Sequence, residues 1–201
     1  VGQIDRARAD EALEVLCLQG LLAPSSSGIR FAHERIRESA QSRLTREERS
    51  RLHVELGRHA LGETDPADLP ERSAEIADYF HLGMDHLCDE LRPERIQVDG
   101  LAAKQAIAAG AWESAAHYLE GCRSLLREVD WDTQRAACFE IYLLSSECAS
   151  QNRLYGDALA YLDVLLPREP SLIESVQIAL KRVQVLAFTE LPDKCVAYVL
   201  D

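Results

Sequence analysis

The sequence is poor in the residues that mark fibrous, disordered and membrane-spanning proteins. It has 10 glycines and 7 prolines in 201 residues, too few for a collagen-like or low-complexity chain. No apolar run approaches the roughly 18 residues of a membrane span. The N-terminus also lacks the basic-then-apolar layout of a signal peptide. We therefore expect a cytoplasmic globular chain without a membrane partner.

Paired cysteines and an excess of positive charge are also missing. The six cysteines are scattered without a Cys-x-x-Cys motif, which favours buried free thiols in a reducing compartment. Lysine and arginine number 22 against 34 aspartates and glutamates, so the formal net charge is −12. This charge opposes general attraction to DNA, RNA or anionic membranes, and we expect no nucleic-acid partner.

Motifs for nucleotide binding and catalysis are absent too. A P-loop needs Gly-Lys-Ser/Thr, but the three lysines follow Ala103, Leu180 and Asp193. The sequence has no Gly-x-Ser-x-Gly elbow, His-Arg-Asp loop, Asp-Phe-Gly or His-Glu-x-x-His. We assign no catalytic, cofactor-binding or metal-binding residue, and we expect these residues to form no enzyme of their own.

One segment comes close to a metal-ligand pattern. His81 and Asp85 are four residues apart and would share a helix face, but His86 and Cys88 would point elsewhere. The four side chains then do not converge as tetrahedral ligands, which favours an ordinary helical surface.

What the chain does contain is helical periodicity, interrupted once by a short β-prone stretch. A helical pattern over 9–22 runs into a Pro-Ser-Ser-Ser-Gly turn. A β-prone stretch at 29–31 and a second helical stripe at 33–44 follow. The order predicts that residues 1–62 are the C-terminal part of a winged-helix unit and its connecting helix.

The connecting helix has its own start signal. Thr45 followed by Glu48 is a capping-box pattern, and we expect the helix that begins there to turn Leu52, Leu56 and Ala60 inward.

The stretch 30–58 is the basic part of an acidic chain. Eight arginines and five glutamates give it a formal charge of +3. These charges are interleaved at helical spacing, as in Glu34 with Arg37 and Glu47 with Arg51, which favours solvated helices over a DNA-binding face.

Residues 63–201 show helical stripes only, the first formed by Ile76, Phe80, Met84 and Leu87. An internal similarity then recurs after 43 residues, with an aromatic–small–aromatic pattern and a weaker third copy. The copies are Trp112-Glu-Ser-Ala115-Ala-His-Tyr118-Leu119, Tyr155-Gly-Asp-Ala158-Leu-Ala-Tyr161-Leu162 and Cys195-Val-Ala-Tyr198-Val199.

Each copy follows a longer helical segment, at about 94–109, 131–151 and 171–189. A helix pair of about 40 residues is typical of tetratricopeptide-like repeats, in which a ring enters the neighbouring helix and Ala permits close approach. The sequence thus predicts an all-α fold, a winged-helix remnant followed by a TPR-like α-α superhelix over 63–201. Its helix pairs are expected at about 71–109, 94–126, 131–166 and 171–200.

Two motifs carry a family resemblance. Residues 31–40 and 47–58 resemble the segment after the ATPase core in large multidomain signalling proteins of bacteria and fungi. The residues that match that family's Phe-x-His-[Asp/Glu]-Arg and Leu-His-x-x-[Ile/Leu]-Gly-Arg patterns are Phe31, His33, Arg35, Leu52, His53, Gly57 and Arg58. The likeness continues through 79–83 and 101–106, although the latter segment lacks the Gly and second Lys of the family's Gly-x-Lys-Ala-Lys step.

The resemblance implies a parent protein with a protein-kinase-like domain, a STAND-class AAA ATPase, a helical-repeat arm and often a histidine kinase. ATP and Mg²⁺ would bind in that parent and not in these residues. The chain starts at Val1 and stops at Asp201 within a helical pattern, so we expect an excised piece whose partners are its flanking domains and other proteins.

Two other interpretations stay open. The arm of a STAND-type transcriptional activator of the maltose-regulator kind would also couple an ATPase to helical repeats. An enzyme acting within these residues is the third, although no catalytic group with a positioned partner can be named.

Overall fold

The computed structural model describes residues 6–25, 28–86, 88–168 and 170–189. Ten α-helices and one strand pair make up this part of the chain, which confirms the all-α class apart from a small hairpin. Within these ranges, no helix combines the length and the apolar content that a bilayer crossing demands. The elements are α1 (Arg6–Leu18), β1 (Leu22–Ser25), β2 (Gly28–Phe31), α2 (Glu34–Ser42), α3 (Arg46–Gly62), α4 (Leu69–Leu82), α5 (Arg92–Ala108), α6 (Trp112–Leu125), α7 (Glu128–Thr133), α8 (Arg135–Gln151), α9 (Tyr155–Leu165) and α10 (Leu172–Phe188).

The chain divides into two compact units between Leu52 and His53, inside α3. The division predicted from the sequence, after residue 62, coincides instead with the end of α3.

The first unit contains a β-hairpin between two helices. Gly20 follows the end of α1 with a left-handed backbone, at φ +69°. A residue without Cβ adopts this conformation at no steric cost. The strands β1 and β2 then pair antiparallel from Leu22 opposite Phe31 to Ser25 opposite Gly28. The predicted order of helix, β-prone stretch and helix is present, and the winged-helix assignment stays a prediction.

The start of α3 follows the capping-box prediction. The Glu48 N–H donates to Thr45 Oγ1 at 3.2 Å, and the Thr45 N–H donates to Glu48 Oε2 at 2.8 Å. The predicted inward stripe of α3 is wrong at Leu56, which is 46% exposed, whereas Ala60 is buried. Gly57 is buried instead, because it lies against the Phe80 ring.

The second unit is a succession of packed helices. In chain order α4 contacts α5, α5 contacts α6, α6 contacts α8, α8 contacts α9, and α9 contacts α10. The largest cluster of buried apolar side chains extends from Val54 on α3 to Cys148 on α8. Two smaller clusters join α7, α8, α9 and α10.

One turn recurs in this unit at the spacing of the sequence repeat. Gly110 and Arg153 both have left-handed backbone, at φ +73° and +62°. The next residue in each case donates a backbone hydrogen bond to the carbonyl five residues earlier. These bonds run from Ala111 N–H to Ala106 O and from Leu154 N–H to Ala149 O, both at 2.8 Å. The α5–α6 and α8–α9 connections are therefore the same turn, 43 residues apart.

Two sequence-based expectations need correction. The helix expected over 131–151 is broken at Gln134, where φ is −136°, because the Gln134 N–H caps α7 by donating to Asp130 O. Met84 is 57% exposed, since α4 ends at Leu82, so it lies outside the buried stripe of Ile76 and Phe80. Leu87 and the third repeat copy, Cys195–Val199, lie outside the described residues.

Candidate interaction groove

The residues predicted to pack the repeats lie in the interior or against it. Ala115, Leu119, Ala158 and Leu162 are fully buried, and Tyr118 is 8% exposed. The aromatic side chains of Trp112, Tyr155 and Tyr161 are half-buried.

The structure distributes these residues over three neighbouring clusters. The α6 motif belongs to the largest cluster, Leu162 to the α7–α9 cluster, and Ala158 to a small cluster with Ala149 and Val185. Equivalent positions of the two copies, such as Ala115 and Ala158, therefore belong to different clusters.

The residues that carry the family resemblance do not converge on one site. Phe31, His33 and Arg35 are exposed in the first unit, and Leu52 is half-buried there. The remaining three belong to the second unit, namely His53, Gly57 and Arg58.

All three of these second-unit residues make specific contacts. A Cβ on Gly57 would lie 2.7 Å from Phe80 Cε1, so only glycine permits this approach of α3 to α4. The His53 ring stacks at 6.3 Å on Tyr79, and Arg58 donates to the Cys88 thiol at 3.5 Å.

A groove of about 490 Å³ lies between α5 and α8, with Leu119 of α6 also contributing to its wall. This volume falls within the range of ordinary ligand pockets. The lining is mainly apolar, with five polar or charged residues among its thirteen. It comprises Pro93, Glu94, Ile96, Gln97, Gly100, Leu101, Lys104, Leu119, Gln134, Ala137, Glu140, Ile141 and Leu144.

Two lysine–glutamate pairs connect successive helices along this side of the unit. Lys104 on α5 lies 2.8 Å from Glu140 on α8, and Lys181 on α10 lies 2.9 Å from Glu147 on α8. Glu140 and Glu147 are seven residues apart, which places them on the same face of α8. The basic position at Lys104, noted in the sequence, is thus occupied in bridging two helices.

Glu94 differs from the other charged residues of the groove. Its Oε2 atom is shielded from solvent and has no hydrogen-bond partner. The two arginines beside it are engaged elsewhere, Arg92 with Asp130 and Arg95 with Asp99.

A buried polar cluster fixes α5 against its neighbours on the other side. Arg95 Nε lies 3.4 Å from Asp99 Oδ2, and His81 Nε2 lies 3.2 Å from Asp99 Oδ1. Gly121 of α6 lies so close that an added Cβ would clash with Asp99 and approach His81 Cε1 to 2.9 Å. His81, considered above as a metal ligand, therefore has a structural partner.

Among the described residues, no group of three or more His, Cys, Asp or Glu side chains is arranged to hold a metal ion.

Burial suppresses the acidity of several groups around this cluster. Burial, with Asp78 and Asp99 nearby, raises the pKa of Tyr118 to about 12, and Tyr118 donates to Asp78 at 3.1 Å. Burial also raises the pKa of Cys122 to about 12 and that of Cys148 to about 11. These thiols are therefore protonated at neutral pH.

The expectation of buried free thiols is wrong at Cys88, which is exposed. Cys122, Cys138 and Cys148 are free and buried, and Cys17 is half-buried.

A second ion pair ties the N-terminus of α5 to α7. Arg92 donates through both terminal nitrogens to Asp130, which also accepts from the Arg127 N–H at 2.7 Å. These bonds, with Arg92 first, lower the pKa of Asp130 below its ordinary value. The first turn of α5, which carries Glu94, is therefore held in place.

Sequence reasoning missed the groove. Its lining residues come from separate helices, and only Leu101, Lys104 and Leu119 belong to motifs noted in the sequence. One signal was available: Pro-Glu-Arg occurs at the starts of both α4 and α5, at 70–72 and 93–95. The chain matches no family model, no curated protein and no solved structure.

Proposed function

We propose that this chain is a non-catalytic helical-repeat module that binds protein segments in the α5–α8 groove. The observation that carries the proposal is the groove itself, which has a mainly apolar lining with some polar and charged residues and a volume of about 490 Å³. Protein interaction sites commonly have a dry apolar centre and a polar rim.

The recurring turn supports a TPR-like architecture for this module. The α5–α6 and α8–α9 pairs share the same turn geometry, and stacked helix pairs form extended surfaces that serve protein contact. The two lysine–glutamate pairs link α5 to α8 and α8 to α10. A displacement of one of these helices would therefore change the ion pair that it makes with the next.

The wider setting follows from the sequence resemblance alone. We propose that the module belongs to a cytoplasmic ATP-binding signalling kinase of the two-component phosphorelay type, and that its first unit is a winged-helix remnant. In that setting the groove would receive a flanking domain or another protein, and nucleotide-dependent movement would change what it contacts.

The test is a pull-down of the purified chain against the ATPase and histidine-kinase regions of its own parent, with and without ATP. Gly100→Trp blocks the groove, because a Cβ at Gly100 meets no atom within 4 Å and Gly100 lines the groove. Gly156→Trp is the matched control, since Gly156 is exposed on α9, has equally open space and does not line the groove.

We expect capture by the wild type and by Gly156→Trp, and its loss with Gly100→Trp. Capture that is equal for all three chains would contradict a role for the groove.

A further inference from the structure

We propose that the groove selects a peptide segment in which a lysine or arginine stands next to a large apolar side chain. The cationic group would pair with the carboxylate of Glu94. This inference rests on the proposed function and adds the chemistry of the partner.

Apolar side chains form much of the groove wall. Leu119 and Ile141 are buried and contribute to the wall, and Leu144 and Ile96 are half-buried there. Gly100 leaves open space above this surface. An inserted aliphatic or aromatic side chain would remove this surface from water, which is the main favourable term in such contacts.

One charged residue of the groove lining, Glu94, is left unpaired. The charged residues in the groove lining are Glu94, Lys104 and Glu140, and the last two pair with each other. Glu94 therefore holds the one uncompensated charge of this lining. Its Oε2 atom is already removed from solvent without a hydrogen bond, and an unpaired buried carboxylate oxygen is costly.

Neither neighbouring arginine compensates for this charge. Arg92 is held by Asp130 and by the Leu125 carbonyl. Arg95 donates through Nε to Asp99 in the interior, and its buried Nη2 atom has no hydrogen-bond partner, Glu94 included. A cation from outside would supply the missing partner, and charge-assisted hydrogen bonds are the stronger ones.

The rest of the chain favours the same class of partner. The formal net charge of −12 attracts basic segments from a distance and repels acidic peptides and phosphates. The Glu94 carboxylate repels anions locally as well. Both the net charge of the chain and the charge of Glu94 therefore disfavour acidic ligands in the groove.

The test is selection of a random 12-residue phage-displayed peptide library on the immobilised chain, followed by affinity measurement of the selected peptides. Glu94→Gln removes the charge and keeps the shape. Glu71→Gln is the matched control, because Glu71 and Glu94 both follow a proline and precede an arginine in the first turn of a helix. Gly100→Trp reports whether a peptide occupies the groove.

We expect selected peptides to place Lys or Arg within a few residues of Leu, Ile, Phe or Met. Glu94→Gln should weaken their binding about tenfold, consistent with loss of one charge-assisted contact. Glu71→Gln should leave it unchanged, and Gly100→Trp should abolish it. Thermal melting of each variant checks that the fold is intact.

The outcomes separate this inference from the function on which it rests. Peptides that Gly100→Trp excludes, but that lack basic residues or are indifferent to Glu94→Gln, would overturn the charge selection and leave the groove as a docking site. Selection of no peptide, or binding that Gly100→Trp does not affect, would overturn both.

Discussion

Gly121 on α6 lies directly against the Asp99 carboxylate on α5, where any Cβ would clash with it. Asp99 is fully buried and contacts both Arg95 and His81, so it has little room to move away. The close approach of α5 to α6 thus depends on the absence of a Cβ at Gly121. Residues of both helices line the groove.

Gly121→Ala should therefore destabilise the chain by about 1–3 kcal/mol, the usual cost of overpacking a core. Gly100→Ala is the control, because its Cβ meets nothing and alanine favours the helix by roughly 0.5–1 kcal/mol. Denaturant unfolding measures both. A Gly121→Ala variant as stable as the wild type would show that α5 and α6 can separate freely.

The two left-handed turn residues, Gly110 and Arg153, predict opposite changes in stability when each is substituted. Arg153 pays a steric cost at φ +62° that Gly110 avoids at the equivalent position. Arg153→Gly should stabilise the chain by up to about 1 kcal/mol, offset in part by the greater freedom of the unfolded chain. Gly110→Ala should destabilise it by a similar amount.

Melting temperatures of the two variants test this prediction, because Arg153→Gly should raise the melting temperature and Gly110→Ala should lower it. Shifts in the same direction would contradict the equivalence of the two turns.

The repeat register predicts the effect of enlarging its small residues. Ala115→Trp and Ala158→Trp fill positions with no exposed surface and should each cost about 1–3 kcal/mol or more. Ala160→Trp, on the exposed side of α9, should have little effect. Unchanged melting of the first two variants would count against the register.

The Arg92–Asp130 pair predicts how stability depends on pH. Hydrogen bonds from Arg92 and from the Arg127 backbone lower the folded-state pKa of Asp130, so the pair stabilises the fold above the ordinary carboxyl pKa. That contribution is lost as pH falls through the depressed folded-state value. Asp130→Asn should cost about 3 kcal/mol at pH 7, since Arg92 is left without its anionic partner.

Urea unfolding of the wild type and of Asp130→Asn between pH 7 and pH 3 measures this difference. It should shrink towards the acid end. A difference that is constant over the whole range would show that Asp130 contributes through packing and not through its charge.

Local signals in the sequence predicted much of the helical fold. The Thr45–Glu48 box, the breakers between stripes and the 43-residue repeat depend on residues close together in the chain, and the corresponding bonds are present. Errors occurred where a local pattern competes with a distant partner. The Asp130 carbonyl accepts from the Gln134 N–H, where the helix predicted over 131–151 is broken. The Asp130 carboxylate is in turn held by Arg92, which is 38 residues away in the sequence.

The groove was beyond such reasoning for the same physical reason. Glu94 and Arg95 look like one more pair of charges on an amphipathic helix. Only the packing of α5 shows that Arg95 is directed inward and that Glu94 faces an apolar groove unpaired.

A role for the groove is tested by the signalling output of the parent kinase that we propose, when that kinase carries Gly100→Trp or, as the control, Gly156→Trp. Both substitutions add the same side chain at an open helical position, but only the first enters the groove. We predict that Gly100→Trp abolishes the dependence of output on stimulus and that Gly156→Trp preserves it. Wild-type behaviour of both variants would contradict it.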